Sequence, residues 1–194
     1  TNIKQKLELK KKIDLEFNSI MDGQVSFDFK IFFQEVFDQK EGFDLIIGNP
    51  PYVQIQKIKD RLYKSNLRDE YKVFTGNGDL YCLFFEKGRD LLNNKGCLAY
   101  ITSNKWLKSA YGNQLRNFFL DKCNIIQLID FKSLQVFKRA SVDTSIVVLK
   151  KGSSNKVKAC EIDDFEKYKN FEDTVNIESI ELDRDNLLST WAIS

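Results

Sequence analysis

The residues best suited to chemistry stand together in FDLIIGNPPYV, where an apolar run reaches Gly48 and breaks into Asn49-Pro50-Pro51-Tyr52. The run predicts a strand, so the break places a polar side chain, a stiff backbone and an aromatic ring at the strand's carboxyl end. Open α/β sheets bind their ligands at that edge. The chain has only two prolines, and both are here. They fix φ and leave their carbonyls without neighbouring N–H donors. Asn49 Oδ1 and the Pro50 carbonyl are then placed to accept hydrogen bonds from one exocyclic amine, with Tyr52 stacked on the attached ring.

The chemistry this suits is alkylation of an aromatic amine. An amine such as N6 of adenine is a poor nucleophile because its lone pair is delocalised into the ring. Two acceptors on its hydrogens draw the nitrogen toward tetrahedral geometry and localise that pair for in-line attack on a methyl sulfonium. The product proton becomes acidic on alkylation and leaves to water, so no titrating base is needed. The structural alternative is a proline-stiffened turn with a core tyrosine.

Composition narrows the competing chemistries. The 194 residues include no histidine, which removes Ser-His-Asp and Cys-His nucleophiles, His-ligated zinc and a His general base. The four cysteines, Cys82, Cys97, Cys123 and Cys160, are never closer than 15 positions and sit in apolar stretches. They read as buried free thiols of a reducing cytoplasm, with no metal site. Asp38-Gln39-Lys40 and Glu166-Lys167-Tyr168-Lys169 have no convincingly spaced second acid and make poor nuclease sites. No apolar run approaches the length of a membrane span, and the amphipathic, lysine-rich N-terminus is not a signal peptide. A start at Thr1 suggests a piece of a longer polypeptide.

Thirty basic and 28 acidic side chains give a net charge of +2, which hides an uneven distribution. Residues 1–40 sum to 0, 41–100 to +1, 101–151 to +6 and 152–194 to −5. Solvated faces are the bland explanation of such runs, and contact with nucleic acid is the alternative.

The elements that must position Asn49 follow from periodicity. Three apolar runs rich in branched residues, at 43–49, 97–104 and 124–130, predict strands buried on both faces. Between them lie two helical stretches. In the first, Asp79 is a predicted N-cap, Leu80, Leu83, Phe84, Leu91 and Leu92 a predicted stripe and Gly96 a stop. The second contains Trp106, Leu107, Leu115, Phe118 and Phe119, with a break expected at Gly112. The first 20 residues read as a charged helix. Strand–helix alternation implies a doubly wound, Rossmann-like α/β sheet, mainly parallel. TSIVVLKK (144–151) follows too soon for a crossover helix and predicts one antiparallel strand, and KVKACEI (156–162) can add another strand. A boundary is placed at Lys151, before an acidic extension over 152–194; residues 1–151 become a partial catalytic domain through what their motifs resemble.

Asn49-Pro50-Pro51-Tyr52 after such a strand resembles the signature of S-adenosylmethionine-dependent, amino-methylating DNA adenine methyltransferases. Residues 78–95, GCLAYITSNKWLKSAYGNQLRNFF, IIQLIDF and VFKRASVDTSIVVLKK are similar to later motifs of these enzymes, in the same order. FDFKIFFQEVF (27–37) is similar to their upstream sequence. The methyltransferase halves of fused type IIS/IIG restriction-modification proteins are the nearest resemblance, which covers residues 27 to 151. It implies that Asn49 and the Pro50 carbonyl hold the target N6 amine and that Tyr52 stacks on a flipped adenine. It further implies that Pro51 and Phe84 line the cofactor's adenosine pocket and that Phe137 packs on the other side of the base. Phe84 is equally readable as a core helix residue. Unstacking a base costs a few kcal/mol, which stacking at about 1–3 kcal/mol per aromatic contact largely offsets. Lys138 and Arg139 suit phosphate contacts beside the pocket, or a solvated loop.

The glycine loop and ribose-binding acid of this family are not found in residues 1–48. Gly76-Asn77-Gly78 follows the catalytic strand and lacks a third glycine, and Asp28 reads as structural. The resemblance therefore implies the target-base half of a methyltransferase from a restriction-modification system. Its partners would be double-stranded DNA, an upstream cofactor-binding half and a target-recognition domain of the same polypeptide. The isolated chain is expected to be inactive and to bind S-adenosylmethionine weakly or not at all. Two alternatives stay open: methylation of a protein glutamine or RNA adenine, and a non-catalytic α/β module that binds DNA or protein.

Overall fold

A computed structural model of the chain describes residues 8–9, 11–13, 15, 27–137, 142–153, 155–164, 170–187, 191 and 193. The chain divides into two compact units, Thr1–Gln39 and Lys40–Ser194. In the first unit, the described residues among 8–15 are helical, as the charged pattern predicts. It also holds α1 (Phe29–Phe32), capped by the Asp28 carboxylate, which accepts from the Lys30 N–H at 2.8 Å. Helix α2 (Gln34–Lys40) runs to the boundary.

The second unit is an α/β sheet of six strands: β1 (Phe43–Gly48), β2 (Leu92–Ser103), β3 (Cys123–Asp130), β4 (Thr144–Lys151), β5 (Lys156–Glu161) and β6 (Ile180–Asp183). Their spatial order is β1-β2-β4-β3-β5-β6. β1 and β2 pair in parallel, as do β3 and β5, while β4 lies antiparallel between β2 and β3. The antiparallel position expected for residues 144–151 is thus observed, and the strand expected at 156–162 is β5. β6 adds a second antiparallel strand at the far edge. The sheet therefore continues past Lys151 through β5 and β6.

Helix α3 (Arg61–Glu70) starts at Asp60, whose carboxylate accepts from the Tyr63 N–H at 3.0 Å. Helix α4 (Tyr81–Leu91) packs against β2 at Gly88, where an added Cβ would strike Leu98 and Tyr100. Its buried face is Tyr81, Cys82, Leu83, Phe85, Glu86 and Gly88, so the predicted stripe is corrected: Phe85 is fully buried and Phe84 is 39% exposed. Leu92 opens β2 rather than closing the helix, and Gly96 lies inside that strand, where it lets the Phe43 carbonyl approach. Helix α5 (Asn113–Lys122) begins directly after the predicted break at Gly112.

One face of the sheet carries an aromatic core in which Phe85 meets Tyr100 and Phe119 at 5.2 and 5.0 Å. Trp106 packs on Phe119 at 5.2 Å and on Trp191 at 5.3 Å, which brings the tail back into the core. Ile129, Phe131, Cys160 and Ile162 form a second cluster, against which Val175 of α6 (Phe171–Glu178) packs.

β1 departs from the expectation of burial on both faces. It has no partner on its outer side among the described strands, and Leu45 and Ile47 are 56% and 73% exposed. Cys82, Cys123 and Cys160 are buried, Cys97 is partly so, and all four are free thiols. Among the described residues no helix is long and apolar enough to cross a membrane.

Candidate active site at the carboxyl edge of the sheet

β1 ends at Gly48, in register with Tyr100 of β2, where a Cβ would press on the Tyr100 ring at 3.0 Å. The absence of a side chain there lets the chain leave the sheet close to its neighbour. Asn49 follows as an exposed residue, Pro50 is buried, Pro51 is exposed and Tyr52 is half-buried. The next residues are pinned by an antiparallel bridge between Gln54 and Asp79. The Leu80 N–H donates to the Val53 carbonyl at 2.8 Å and the Ile55 N–H to the Gly78 carbonyl at 2.9 Å. This short ladder places Tyr52 beside Asp79, two residues that are far apart in sequence.

Tyr52 stands edge-on to Tyr81, with ring centroids 6.1 Å apart, and its hydroxyl donates to the Ile101 carbonyl at 3.4 Å. Burial raises its pKa, so the phenol stays neutral. The ring forms one wall of an open pocket of about 300 Å³ that is also lined by Val53, Gln54, Lys57, Asp79, Ser103, Lys105 and Val142. Asp79, expected to cap α4, does not: the N-cap position belongs to Leu80, with no side-chain bond. Its Oδ2 instead accepts from the Tyr111 hydroxyl at 2.9 Å, and the Tyr111 hydroxyl oxygen lies 2.8 Å from that of Tyr81. Each phenol has one proton, so with Tyr111 donating to Asp79, Tyr81 donates to Tyr111. Burial pushes both phenols well above the ordinary range, which keeps this chain of donors protonated.

A second pocket, of about 360 Å³, adjoins the first through Lys105 and is lined by Asn104, Leu107, Lys108, Asp130, Lys132, Ser133 and Asp143 as well. Both pockets lie at the ends of β2 and β3, where Ser103 and Asp130 are the last strand residues. The loop between β2 and α5 carries much of this wall. It is fixed by the buried Arg116 guanidinium, which donates to the Trp106 and Ser109 carbonyls at 2.6 and 2.9 Å. Desolvation lowers the Arg116 pKa, and the carbonyls compensate the buried charge. Gly112 completes the fold of the loop, since a Cβ there would collide with the Trp106 carbonyl.

Of the residues singled out from sequence, Tyr52 lines the first pocket, whereas Asn49, Pro50, Pro51, Phe84 and Phe137 are not in its lining. Phe84 lies on the open face of α4 and is not core, and Phe137 is partly buried. Lys138 and Arg139 lie outside the described residues. Asp79, Ser103, Lys105 and Tyr111 were not expected here; the only local signal for them is their position within the later motifs. Among the described residues, the basic surplus of 101–151 does not form one face. Lys105, Lys108 and Lys132 border the pockets, Arg116 is buried, and Lys150 and Lys151 pair with the start of β3 at the opposite edge. Among the described residues no group of three His, Cys, Asp or Glu side chains is placed to hold a metal.

Comparison with known proteins agrees with this architecture. The chain is 33% identical over 137 residues to the type II restriction enzyme and methyltransferase RM.Eco57I of Escherichia coli, a match covering 68% of the chain and 13% of that protein. It is 34% identical over 96 residues to the type II methyltransferase M.BstVI of Geobacillus stearothermophilus, covering 50% of the chain and 17% of that relative. The chain thus spans well under a quarter of either relative. Among solved structures, the type IIG restriction endonuclease BpuSI superposes with a TM-score of 0.58 at 17% identity, over 76% of this chain and 20% of that one. Residues 1–137 match the Eco57I restriction-modification methylase family, and the chain belongs to that family.

Proposed function

We propose that the intact protein carrying this chain transfers a methyl group to N6 of an adenine flipped out of duplex DNA, as part of a restriction-modification system. The observation that carries this reading is Asn49-Pro50-Pro51-Tyr52 at the carboxyl end of β1, with Tyr52 forming the wall of an open, partly polar pocket. Asn49 Oδ1 and the Pro50 carbonyl accept the two N6 hydrogens, and Tyr52 and Phe137 stack on the base. Lys138 and Arg139 take phosphates. Asn49 is exposed and so is free to meet a substrate, while buried Pro50 holds the backbone beside it.

S-adenosylmethionine, when bound, supplies an electrophilic methyl sulfonium. Exposed Phe84 and Pro51 offer apolar surface suited to an adenosine, which fits that cofactor. Residues for its methionine and ribose come from elsewhere in the intact polypeptide. Exposed Leu45 and Ile47, on a parallel edge strand with no outer partner among the described strands, support a sheet that continues through such a part. The chain alone is then inactive, and sequence specificity resides in a separate target-recognition domain. An enzyme of this kind, acting on the DNA of its own cell, would work in the cytoplasm.

The test is transfer of tritium from labelled S-adenosylmethionine by the intact protein to adenine-containing duplex, followed by digestion to nucleosides. Label in N6-methyldeoxyadenosine is expected. Label confined to cytosine, RNA or a protein glutamine would overturn the reading, and absence of transfer to any of them would favour a binding module.

A further inference from the structure

We propose that Lys105 and Lys108 form a ridge that grips the phosphodiester backbone of the strand whose base enters the Tyr52 pocket. The inference rests on the DNA-methylation reading above and adds a substrate-binding element to it. Lys105 lines both pockets and so forms the wall between them, and Lys108 lines the second. Base and phosphate of one nucleotide are joined through a single sugar. A base against Tyr52 therefore leaves its phosphate near the pocket rim, and Lys105 supplies a cation there.

Both lysines are exposed, and among the described residues neither is in an ion pair. Their backbone is held firmly. Arg116 ties down the carbonyls of Trp106 and Ser109, the Trp106 indole N–H donates to Ser145 Oγ at 3.2 Å, and the Lys105 N–H donates to Ser103 Oγ at 3.3 Å. A fixed backbone lowers the ordering cost of binding. Two further cations border these pockets and are not assigned to the ridge: Lys132 pairs with Glu161 at 2.5 Å, and Lys57 lines the first pocket from the segment after Tyr52, away from the loop that carries Lys105 and Lys108.

Two carboxylates also line the second pocket, and they place the strand at its rim. Asp130 is buried and accepts from Asn104 Nδ2 at 2.7 Å and the Lys132 N–H at 3.0 Å, so it braces the floor. Asp143 is exposed and opposes a phosphate held by the ridge.

The ridge is tested by titrating duplex DNA with the intact protein across a potassium chloride series. Each phosphate contact contributes about 0.9 to the slope of log K against log salt. Lys105→Gln and Lys108→Gln should each make the slope shallower by about that amount. Lys150→Gln, which removes the same charge at the opposite edge, should leave it unchanged, and Asp143→Asn should tighten binding. Wild-type slopes in both lysine variants, or weaker binding by Asp143→Asn, would overturn the ridge while leaving the DNA reading intact. Failure of the wild-type protein to bind duplex DNA at any salt would overturn both.

Discussion

The Tyr111 hydroxyl donates to Asp79 Oδ2 at 2.9 Å and thereby joins the loop before α5 to the turn before α4. That bond holds the carboxylate at the edge of the Tyr52 pocket and keeps it from capping the helix. Tyr111→Phe removes the donor and also leaves the Tyr81 hydroxyl without its acceptor. The expected loss is about 1.5–3 kcal/mol of unfolding free energy, the range for hydrogen bonds to charged groups. Urea denaturation of wild type and variant measures it, and an unchanged midpoint would show that the bond contributes nothing.

Phe84 and Phe85 are neighbours with opposite environments, which separates packing from binding. Phe85→Ala opens a hole among Tyr100 and Phe119 and should destabilise the fold by about 3–5 kcal/mol. Phe84→Ala removes an exposed ring and should change stability by less than about 1 kcal/mol. In the intact protein it should weaken S-adenosylmethionine binding, measured by calorimetry. Equal destabilisation by the two variants would contradict the assignment of faces.

Trp191 is 1% exposed and packs on Trp106 and Phe119. Trp191→Ala should therefore cost about 3–5 kcal/mol, as for a large core aromatic, although the residue stands near the end of the chain. Thermal unfolding followed by near-ultraviolet circular dichroism checks this, since the environment of Trp106 changes with it. A melting curve matching wild type would mean that the tail contributes little.

Burial pushes the Cys82 and Cys123 thiols up to about 12, because the thiolate is disfavoured away from water. At pH 8 their thiolate fraction in the folded protein is of order one in ten thousand, and it rises tenfold with each pH unit. Iodoacetamide at pH 8 should label partly exposed Cys97 first and reach Cys82 and Cys123 only after denaturation. Mass spectrometry of the peptides gives the order, and early labelling of Cys82 would contradict the buried assignment.

The parts of the fold that were legible depend on local pattern. The apolar runs, the tight link before residues 144–151 and the break at Gly112 follow from burial, connection length and close packing within one stretch. What was not legible depends on contacts between distant segments. Asp79 has the residue type and position of an N-cap, and the Tyr111 hydroxyl, 32 positions away, holds its carboxylate elsewhere. Phe84 and Phe85 cannot be told apart by helical period when most of α4 is buried, so which ring faces out is decided by where Tyr100 and Phe119 lie. The tail reads as an acidic extension because residues 152–194 sum to −5, yet Leu187, Trp191 and Ile193 all join the core. At the site, the strand end carrying Asn49 was readable, whereas the loop supplying Lys105 needed Arg116 to fold it.

The central claim is that Asn49 carries the methyl transfer by accepting from the target amine. Single-turnover transfer to adenine in duplex DNA by the intact protein, wild type against Asn49→Ala, tests it most directly, with duplex binding measured alongside. The account predicts a fall of about 100-fold or more in the transfer rate, as for removal of a group that acts on the reacting atoms. Duplex binding should stay near the wild-type level, because Asn49 is exposed and braces no part of the core. A transfer rate within about twofold of wild type, well short of the effect of losing such a group, would contradict the account.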